Sequence, residues 1–430
     1  MNDRRTALKA IFDAAVAAAH PAHCLPAHLP EPPAGRIIVL AAGKAAGSMA
    51  EAAERHYLDA LGLAPQRLAG LAVARQGYAR PTRAVRMVEA AHPVPDERGL
   101  QAANEALDLA RSAGADDLVL ALISGGGSAV WIAPAPGISL PVKQALTREL
   151  LRCGATIGEI NTVRKHLSAI KGGRLAVAAH PAPIVTLAIS DVPGDDPATI
   201  ASGPTVADAT TLAEARAVLA GYGIVADPAV QALLDDPASE SPKPGDPRLA
   251  KATFRLVATP EEALNAAAQA ASKLGYGTEL VGADLEGEAR DIAAGHAQLA
   301  RAFADAGRPV AILSGGEATV TIRGDGRGGP NQEFALALAL ALDGAAGIHA
   351  LAGDTDGTDG GSGEADDPAG AFVMPDTLAR AEALGLDPRG ALDNNDSTAL
   401  FAALDDLLVT GPTYTNVNDL RVVLVDTATD

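Results

Sequence analysis

Short, nearly continuous apolar runs alternate with alanine-rich stretches along most of this sequence, and this alternation constrains the fold more than any other feature. Strands that are covered by helices on both faces are apolar throughout, whereas strands with one wet face alternate. The pattern therefore predicts an α/β fold. The clearest runs are RIIVLAAG (Arg36 to Gly43), DLVLALISGGG (Asp117 to Gly127), PIVTLAISD (Pro183 to Asp191), PVAILSGGE (Pro309 to Glu317) and GIHALAGD (Gly347 to Asp354).

The length of 430 residues exceeds what one hydrophobic core usually supports, so we expect two or three domains. The segment DDPASESPKPGDPRL, from Asp235 to Leu249, is rich in proline, serine and charge and reads as a linker. We therefore predict an N-terminal domain at 1–237, a linker at 238–248 and a C-terminal domain at 249–430.

Charge and composition exclude several classes of partner. The formal net charge is −19, and a surface that acidic repels nucleic acid and anionic membranes. The two cysteines, Cys24 and Cys153, provide neither a disulfide framework nor a thiolate metal site. The first twenty residues predict an amphipathic helix, because Lys9 and Asp13 interrupt the apolar run that a signal peptide needs. We expect a cytoplasmic protein with no nucleic-acid or membrane partner.

Two glycine-containing loops follow predicted strands in the first half of the chain. AAGKAAGSM places Lys44 at a strand-to-helix turn, where a cation and a helix N-terminus favour an anion. The Walker pattern is absent, because the upstream glycine that it requires is missing before Gly43 and alanine follows Lys44. The loop from Ser124 to Ser128 offers several backbone N–H groups and two hydroxyls, which favours a phosphate or carboxylate cradle over a plain turn.

Asp191 ends an apolar strand in ISDVPGDDPATIASGPT and is the better candidate for chemistry in that segment. Asp195 and Asp196 follow in a proline–glycine turn, where a carboxylate can simply cap the next helix. The basic segment Asn161 to Ala176 predicts one helix with Arg164, Lys171 and Arg174 along one side. Such a stripe is usually a solvated face.

The stretch from Arg323 to Gly361 contains two further glycine-rich loops. One carries Arg327, and the other carries Asp354, Asp356 and Asp359. Gly324, Gly326 and Gly329 match the dinucleotide fingerprint G-x-G-x-x-G, but no buried strand directly precedes them, so we interpret this match as accidental. The remaining structural alternative for the three aspartates is a surface loop rich in Asx turns.

Together these loops supply cations, carboxylates and backbone donors, which is the inventory that phosphoryl transfer needs. The sequence contains no G-x-S-x-G motif and no well-placed cysteine or histidine pair, so nucleophilic hydrolysis has little support. We predict that Mg²⁺ and a phosphorylated substrate bind at the carboxyl ends of the strands.

The chain also resembles the class II glycerate kinases (glycerate 2-kinases), whose C-terminal part is called the MOFRL domain and some of which carry the label hydroxypyruvate reductase. The resemblance extends through nearly the whole chain. The matching segments are AAGKAAGSM, HPVPDERGL, ISGGGSA, INTVRKHLSAIKGGRLA, ISDVPGDDPATIASGPTV, SGGEATVTIRGDGRGGPNQEFAL, AGDTDGTDG and TGPTYTNVNDL. One departure is Tyr414, at a position associated with glycine in many members.

The resemblance implies a Rossmann-like N-terminal domain, a smaller α/β C-terminal domain and an active site in the cleft between them. It implies ATP- and Mg²⁺-dependent phosphorylation of D-glycerate at the 2-hydroxyl. Its catalytic residues correspond to Lys44, Asp191, Arg327 and either Asp354 or Asp356, with Asp191 and Asp354 as the metal ligands. We expect the nucleotide to bind at two Ser-Gly-Gly loops, made of Ser124, Gly125, Gly126, Gly127 and Ser128, and of Ser314, Gly315, Gly316 and Glu317.

Two rival functions stay open at this point. The first is an NAD(P)H-dependent hydroxypyruvate reductase, which would act on the same carbon skeleton. The second is a non-catalytic protein that senses a nucleotide or a sugar acid. The sequence does not decide the oligomeric state, and a homodimer is one assembly open to it.

Overall fold

The computed structural model describes residues 2–360 and 366–427 and divides the chain into two compact units. The unit that we call N-terminal comprises Cys24–Val257, and the C-terminal unit comprises Met1–His23 together with Ala258–Asp430. Two helices open the chain, α1 (Asn2–Ala19) and α2 (Pro21–Cys24). The prediction of two α/β domains is confirmed in kind, but the boundary differs from the predicted one.

Two features move the boundary. Helix α1 packs with the C-terminal unit, where Arg4 pairs with Asp426 at 2.9 Å. The predicted linker at 238–248 is instead a packed part of the N-terminal unit, where the buried Ser241 donates to Asp208 Oδ2 at 3.0 Å. Proline, serine and charge there make hydrogen-bonded turns, and the same composition would suit a free linker equally well.

The N-terminal unit is built on a six-stranded sheet with the order β3-β2-β1-β4-β5-β6. Strand β1 runs parallel to both β2 and β4, and the pairs β2–β3 and β4–β5 are also parallel. This order is that of the Rossmann fold, so the predicted Rossmann-like sheet is confirmed. The strands are β1 (Ile37–Ala42), β2 (Leu68–Arg75), β3 (Val85–Ala90), β4 (Leu118–Ile123), β5 (Ile184–Ile189) and β6 (Ala252–Ala258).

Every residue of β1 and β4 is buried, as continuous apolar strands require. A second apolar cluster lies among helices of the same unit and includes Leu150, Val163 and Leu219. The helices are α3 (Ala46–Glu54), α4 (Glu97–Arg111), α5 (Gly127–Val130), α6 (Leu140–Arg152), α7 (Ile157–His166), α8 (Arg174–Ala179), α9 (Leu212–Gly221) and α10 (Pro228–Asp235).

The C-terminal unit contains a mixed six-stranded sheet with the order β11-β10-β9-β12-β8-β7. Its strands are β7 (Gly277–Glu288), β8 (Val310–Thr319), β9 (Ile348–Asp354), β10 (Gly370–Val373), β11 (Leu407–Leu408) and β12 (Asp419–Val425). Strand β12 runs antiparallel to both β8 and β9, whereas β7 and β8 are parallel. The predicted smaller α/β domain is therefore present as a mixed sheet.

The helices of this unit are α11 (Pro260–Lys273), α12 (Ala289–Asp305), α13 (Pro330–Leu342), α14 (Thr377–Ala383), α15 (Pro388–Asp393) and α16 (Ser397–Ala403). Helix α13 holds the longest charge-free apolar run and is buried along nearly its whole length in the core. Among the described residues, no helix combines the length and the apolar character that crossing a membrane requires.

Candidate active site

The first two predicted loops meet at the carboxyl edge of the N-terminal sheet. Strand β1 leads into Lys44, and the neighbouring strand β4 leads into Ser124. The sheet order reverses between these two strands, and ligands of open α/β sheets bind at such a switch point. The Lys44 N–H donates to Gly125 O at 2.8 Å, and the Ala45 N–H donates to the Ser124 hydroxyl at 2.9 Å. The structure therefore joins the two loops in one place.

Two glycines of the second loop are required by close approach. Gly126 has a φ of 77°, and a β-carbon there would stand 3.0 Å from His92 Nε2 and 3.5 Å from Lys44 Cγ. A β-carbon on Gly127 would stand 2.9 Å from Ala201 Cβ. The glycines thus let His92, Lys44 and the backbone N–H groups of the loop share one small region.

His92 is a neighbour of this site that sequence reasoning did not single out. It follows β3 in the HPVPDERGL segment, and its ring touches the glycine loop. The available signal was its place two residues after the end of a strand of the same sheet. The Ser128 hydroxyl lies 2.7 Å from the Ser202 hydroxyl, so the segment SGPT also borders the loop.

Asp191 follows β5, the strand next to β4, and is partly buried. It therefore lies at the same sheet edge as the two loops. The capping alternative is wrong for Asp196, because residues 197–199 form a turn and no helix begins at Pro197; its carboxylate instead accepts from the Ala198 N–H at 3.0 Å and the Thr199 hydroxyl at 2.8 Å within that turn.

The basic segment differs from the predicted single helix. Helix α7 ends at His166, and α8 begins only at Arg174, because Gly172 and Gly173 adopt φ of 58° and 80°. Lys171 is consequently buried in the intervening turn, where its ammonium group donates to Ser128 O at 2.9 Å. The basic residues are not a solvated stripe, since several of them point into the unit.

Arg327 and the aspartate loop meet within the C-terminal unit. The Arg327 guanidinium pairs with the buried carboxylate of Asp367, while more than half of the arginine side chain stays exposed. Two residues later the chain packs against the Asp359 backbone so closely that a β-carbon on Gly329 would overlap it. The Asp359 carboxylate accepts from the Asn331 and Gln332 N–H groups at 2.9 and 2.8 Å, which caps the start of α13.

The three aspartates of this loop have different surroundings. Asp356 is buried, and its carboxylate accepts from the Thr358 N–H at 2.8 Å and the Thr358 hydroxyl at 3.0 Å. Asp354 ends β9 and is only partly buried, with its carboxylate accepting from the Asp356 N–H at 2.8 Å. The Asx-turn alternative thus describes the local bonding, although the loop is largely buried and is no surface loop.

Burial raises the pKa of the Asp359 carboxyl to about 7, while hydrogen bonds from Asn331 and Gln332 oppose the shift and the charge of Asp419 adds to it. Asp359 is fully enclosed, so its carboxylate belongs to the helix cap.

The predicted nucleotide loop at Ser314 does not stand at a strand end. Strand β8 continues through Thr319, and Ser314 is buried inside it with its hydroxyl 2.9 Å from His296 Nε2. Gly315 and Gly316 lie where β7 approaches, and a β-carbon on Gly315 would stand 2.9 Å from Ala283 O. The close packing of β7 against β8 explains why both positions are glycine. Glu317 is exposed, and its role in nucleotide binding stays a prediction.

The predicted metal ligands are carboxylates at strand ends. Across residues 2–360 and 366–427, no group of three or more histidine, cysteine, aspartate or glutamate side chains could hold a metal ion. Mg²⁺ commonly uses only one or two protein carboxylates together with substrate phosphates. Asp191 and Asp354, both partly exposed oxygen donors, suit that chemistry.

Comparison with known families places the chain. Residues 7–235 match the family described as "Domain of unknown function (DUF4147)", and residues 310–419 match the MOFRL family. The sequence is 38% identical over 420 residues to the D-glycerate 2-kinase of Thermotoga maritima, covering 96% of this chain and 97% of that protein. The chain belongs to the glycerate kinase family.

The chain is also similar to further proteins of this family. The crystal structure of glycerate kinase from Thermotoga maritima matches with a TM-score of 0.87 and 37% identity, covering 99% of this chain and 100% of that one. A protein of Agrobacterium vitis named putative hydroxypyruvate reductase is 50% identical over 427 residues, covering 98% of this chain and 94% of that protein. The glycerate kinase family thus includes members with two kinds of name.

Proposed function

We propose that this protein uses ATP and Mg²⁺ to phosphorylate D-glycerate at its 2-hydroxyl group. The observation that carries the proposal is the junction of the Lys44 and Ser124 loops at the switch point of the parallel sheet. It supplies a cation and a glycine-lined backbone at the edge where α/β proteins bind phosphorylated ligands. The names of the kinase relatives support the substrate.

Phosphoryl transfer needs positioning and charge neutralisation more than covalent chemistry from the protein. Lys44 neutralises phosphate charge, and the Ser124–Ser128 loop donates backbone N–H groups to phosphate oxygens. The planar guanidinium of Arg327 binds the migrating phosphoryl group or the substrate carboxylate in a bidentate manner.

Asp191 and one of Asp354 and Asp356 bind Mg²⁺ or orient the attacking hydroxyl. When bound, the metal neutralises negative charge on the phosphates. A carboxylate within hydrogen-bond reach of the 2-hydroxyl would accept its proton as the O–P bond forms and the bond to the leaving ADP oxygen breaks.

A hydroxypyruvate reductase is the second candidate, because a relative with 50% identity carries that name and the sheet order suits dinucleotides. The first βα turn argues against it. Ala45 stands where the dinucleotide fingerprint has its second glycine, and β2 ends in Arg75 with its guanidinium 4.6 Å from the Tyr78 ring centre. That strand end therefore lacks the carboxylate that binds the ribose of NAD, and an arginine there would suit only the 2′-phosphate of NADP, so the missing second glycine is the stronger argument.

The test is turnover by purified protein and by Lys44→Met. We expect the wild type to release ADP with ATP, Mg²⁺ and D-glycerate. Lys44→Met should lose about a hundredfold or more in kcat, because it lacks the ammonium group that stabilises negative charge in the transition state. Lys273→Met, at an exposed lysine near the end of α11, is the matched control. Equal kcat for Lys44→Met and the control would contradict the proposal, and NADH loss with hydroxypyruvate in the absence of ATP would favour the reductase.

A further inference from the structure

One cavity of the N-terminal unit is lined by residues that have no role in the proposed function. It measures about 220 Å³ and lies beside the turn Pro93, Val94, Pro95, with Ile132 and helix α6 forming further walls. This volume is below the roughly 300–1,000 Å³ of pockets for drug-sized ligands, so the cavity suits a smaller molecule.

The charged groups of the cavity all have one sign. Lys143, Arg148 and Arg164 line it, together with the polar side chains of Gln144 and Thr147, and no carboxylate does. Lys143 is buried, Arg164 is largely buried, and Arg148 is exposed at the outer end. Buried cations of like charge are costly unless something compensates them.

Neighbouring basic residues show what compensation looks like in this unit. Lys165 pairs with Asp208 at 3.3 Å, and Arg174 donates to the carbonyl oxygens of Lys165 and Ser239 at 3.1 and 2.8 Å. The Lys143 ammonium group donates to two backbone carbonyl oxygens, Leu167 O at 2.7 Å and Arg164 O at 3.5 Å, and neither of them carries a compensating charge.

Arg164 is the exception among these residues. In the part of the chain that the structure describes, its guanidinium has no hydrogen-bond acceptor and no carboxylate partner. Arg164 lines the cavity, so its N–H donors are available to a ligand there.

The electrostatic environment agrees with this geometry. Burial lowers the pKa of Lys143 well below its ordinary value, and the charges of Arg164 and Arg174 lower it further. Burial likewise lowers the pKa of Arg164, and it lowers the pKa of Lys171 with added repulsion from Arg164 and Lys143. An anion in the cavity would relieve this repulsion.

We propose that the cavity is an oxyanion-binding site for a small organic acid that carries a carboxylate or a phosphate group, with Arg164 and Lys143 as its binding residues. The guanidinium fork suits either group in a bidentate manner, and Lys143 adds a point charge. The apolar wall of Pro93, Val94 and Ile132 accommodates the carbon skeleton. The proposed function assigns no role to these residues, and the binding test of the site does not depend on turnover.

Two sources share this chemistry: the acid that the kinase would phosphorylate, and a separate anionic effector. The cavity lies near the glycine loop, because its lining residue Pro93 directly follows His92, whose ring touches Gly126. Either source is compatible with that position, so the experiment must separate them.

The experiment is calorimetric titration of the full-length protein with D-glycerate and, separately, with inorganic phosphate at constant ionic strength. We expect the wild type to bind at least one probe and Arg164→Gln to lose at least about tenfold in affinity. Arg152→Gln, at an exposed arginine at the end of α6, the helix that carries Lys143, should bind as the wild type does.

Thermal unfolding of the ligand-free proteins separates binding from structure. Because no described residue accepts a hydrogen bond from the Arg164 guanidinium, Arg164→Gln should melt at the same temperature as the wild type or higher. A clear drop in melting temperature would mean that the guanidinium is structural and would overturn the proposal. Unchanged affinity of Arg164→Gln for both probes, or a wild type that binds neither, would overturn it as well.

Steady-state kinetics then identify the source. A raised KM for D-glycerate in Arg164→Gln, with KM for ATP unchanged, assigns the site to the acid reactant. An unchanged KM for D-glycerate, together with lost phosphate binding, assigns it to a separate effector. A protein without any turnover would remove the proposed kinase function and leave the binding result intact.

Discussion

Gly43 and Ser124 approach each other so closely that a β-carbon on Gly43 would overlap both the backbone and the hydroxyl oxygen of Ser124 and stand 2.7 Å from Gly125 O. Gly43 also has a φ of 120°, a backbone conformation that residues other than glycine rarely adopt. This contact joins the loop that carries Lys44 to the phosphate cradle.

Gly43→Ala should therefore separate the two loops and lower the free energy of unfolding by at least about 1–3 kcal/mol. Gly137→Ala is the matched control, because Gly137 has a φ of 85° and no atom within 4 Å of its would-be β-carbon. Chemical denaturation measures both. Equal destabilisation of the two variants would show that backbone strain alone, and not the Ser124 contact, requires glycine at position 43.

Arg327 is expected to act in the transition state. Arg327→Ala should lower kcat by about a hundredfold or more, and Arg327→Lys should recover only part of it because lysine lacks the planar fork. The control is Arg389→Ala, at an exposed arginine in α15 of the same unit. Near-normal kcat in a folded Arg327→Ala protein would remove Arg327 from the catalytic residues.

Substitutions of Asp354 and Asp356 should differ in their effect on protein stability. Asp356 is buried and accepts two hydrogen bonds from Thr358, so Asp356→Asn should lower the melting temperature. Asp354 is the less buried of the two, so Asp354→Asn should lose activity at nearly unchanged melting temperature. Thermal unfolding and initial rates measured on the same preparations decide this, and the opposite pattern would assign the catalytic role to Asp356.

Asp359 should make stability depend on pH. Its carboxyl group holds a proton up to about pH 7 in the folded protein, against an ordinary pKa of 3.8. The folded state therefore binds more protons than the unfolded state between about pH 4 and 7, and stability falls as pH rises through that window. Above it, the contribution is constant.

Asp359→Asn should flatten this slope, because asparagine does not titrate. Denaturation curves at several pH values measure it, with Asp325→Asn, at an exposed aspartate, as the control. A variant slope as steep as that of the wild type between about pH 4 and 7 would show that other groups cause the dependence.

The continuous apolar strands predicted the parallel sheet because their pattern reports burial on both faces. The strand ends likewise predicted Lys44, the Ser124 loop and Asp191 at one sheet edge, since parallel strands place their carboxyl ends together. Tyr414 has a φ of 60°, a left-handed backbone conformation that favours glycine, which fits the resemblance noted at this position. Local residue types were sufficient for these features.

Long-range packing set the features that the sequence did not predict. Ser314 ends no strand, because β7 pairs with β8 beyond that residue as far as Thr319. Lys171 points inward because two left-handed glycines, Gly172 and Gly173, follow it and break the expected helix, and the sequence alone does not show which way a basic side chain turns. The position of His92 in the site likewise depends on contact with a loop that lies more than thirty residues away in the sequence.

The position of the new phosphate on the product tests the central claim most directly. Phosphorus NMR of the product from ATP, Mg²⁺ and D-glycerate distinguishes the two hydroxyls, because the carbon at position 2 bears one hydrogen and the carbon at position 3 bears two. We predict a doublet from phosphate on the 2-hydroxyl. A triplet, or the absence of any phosphorylated acid with an intact and folded protein, would contradict the account.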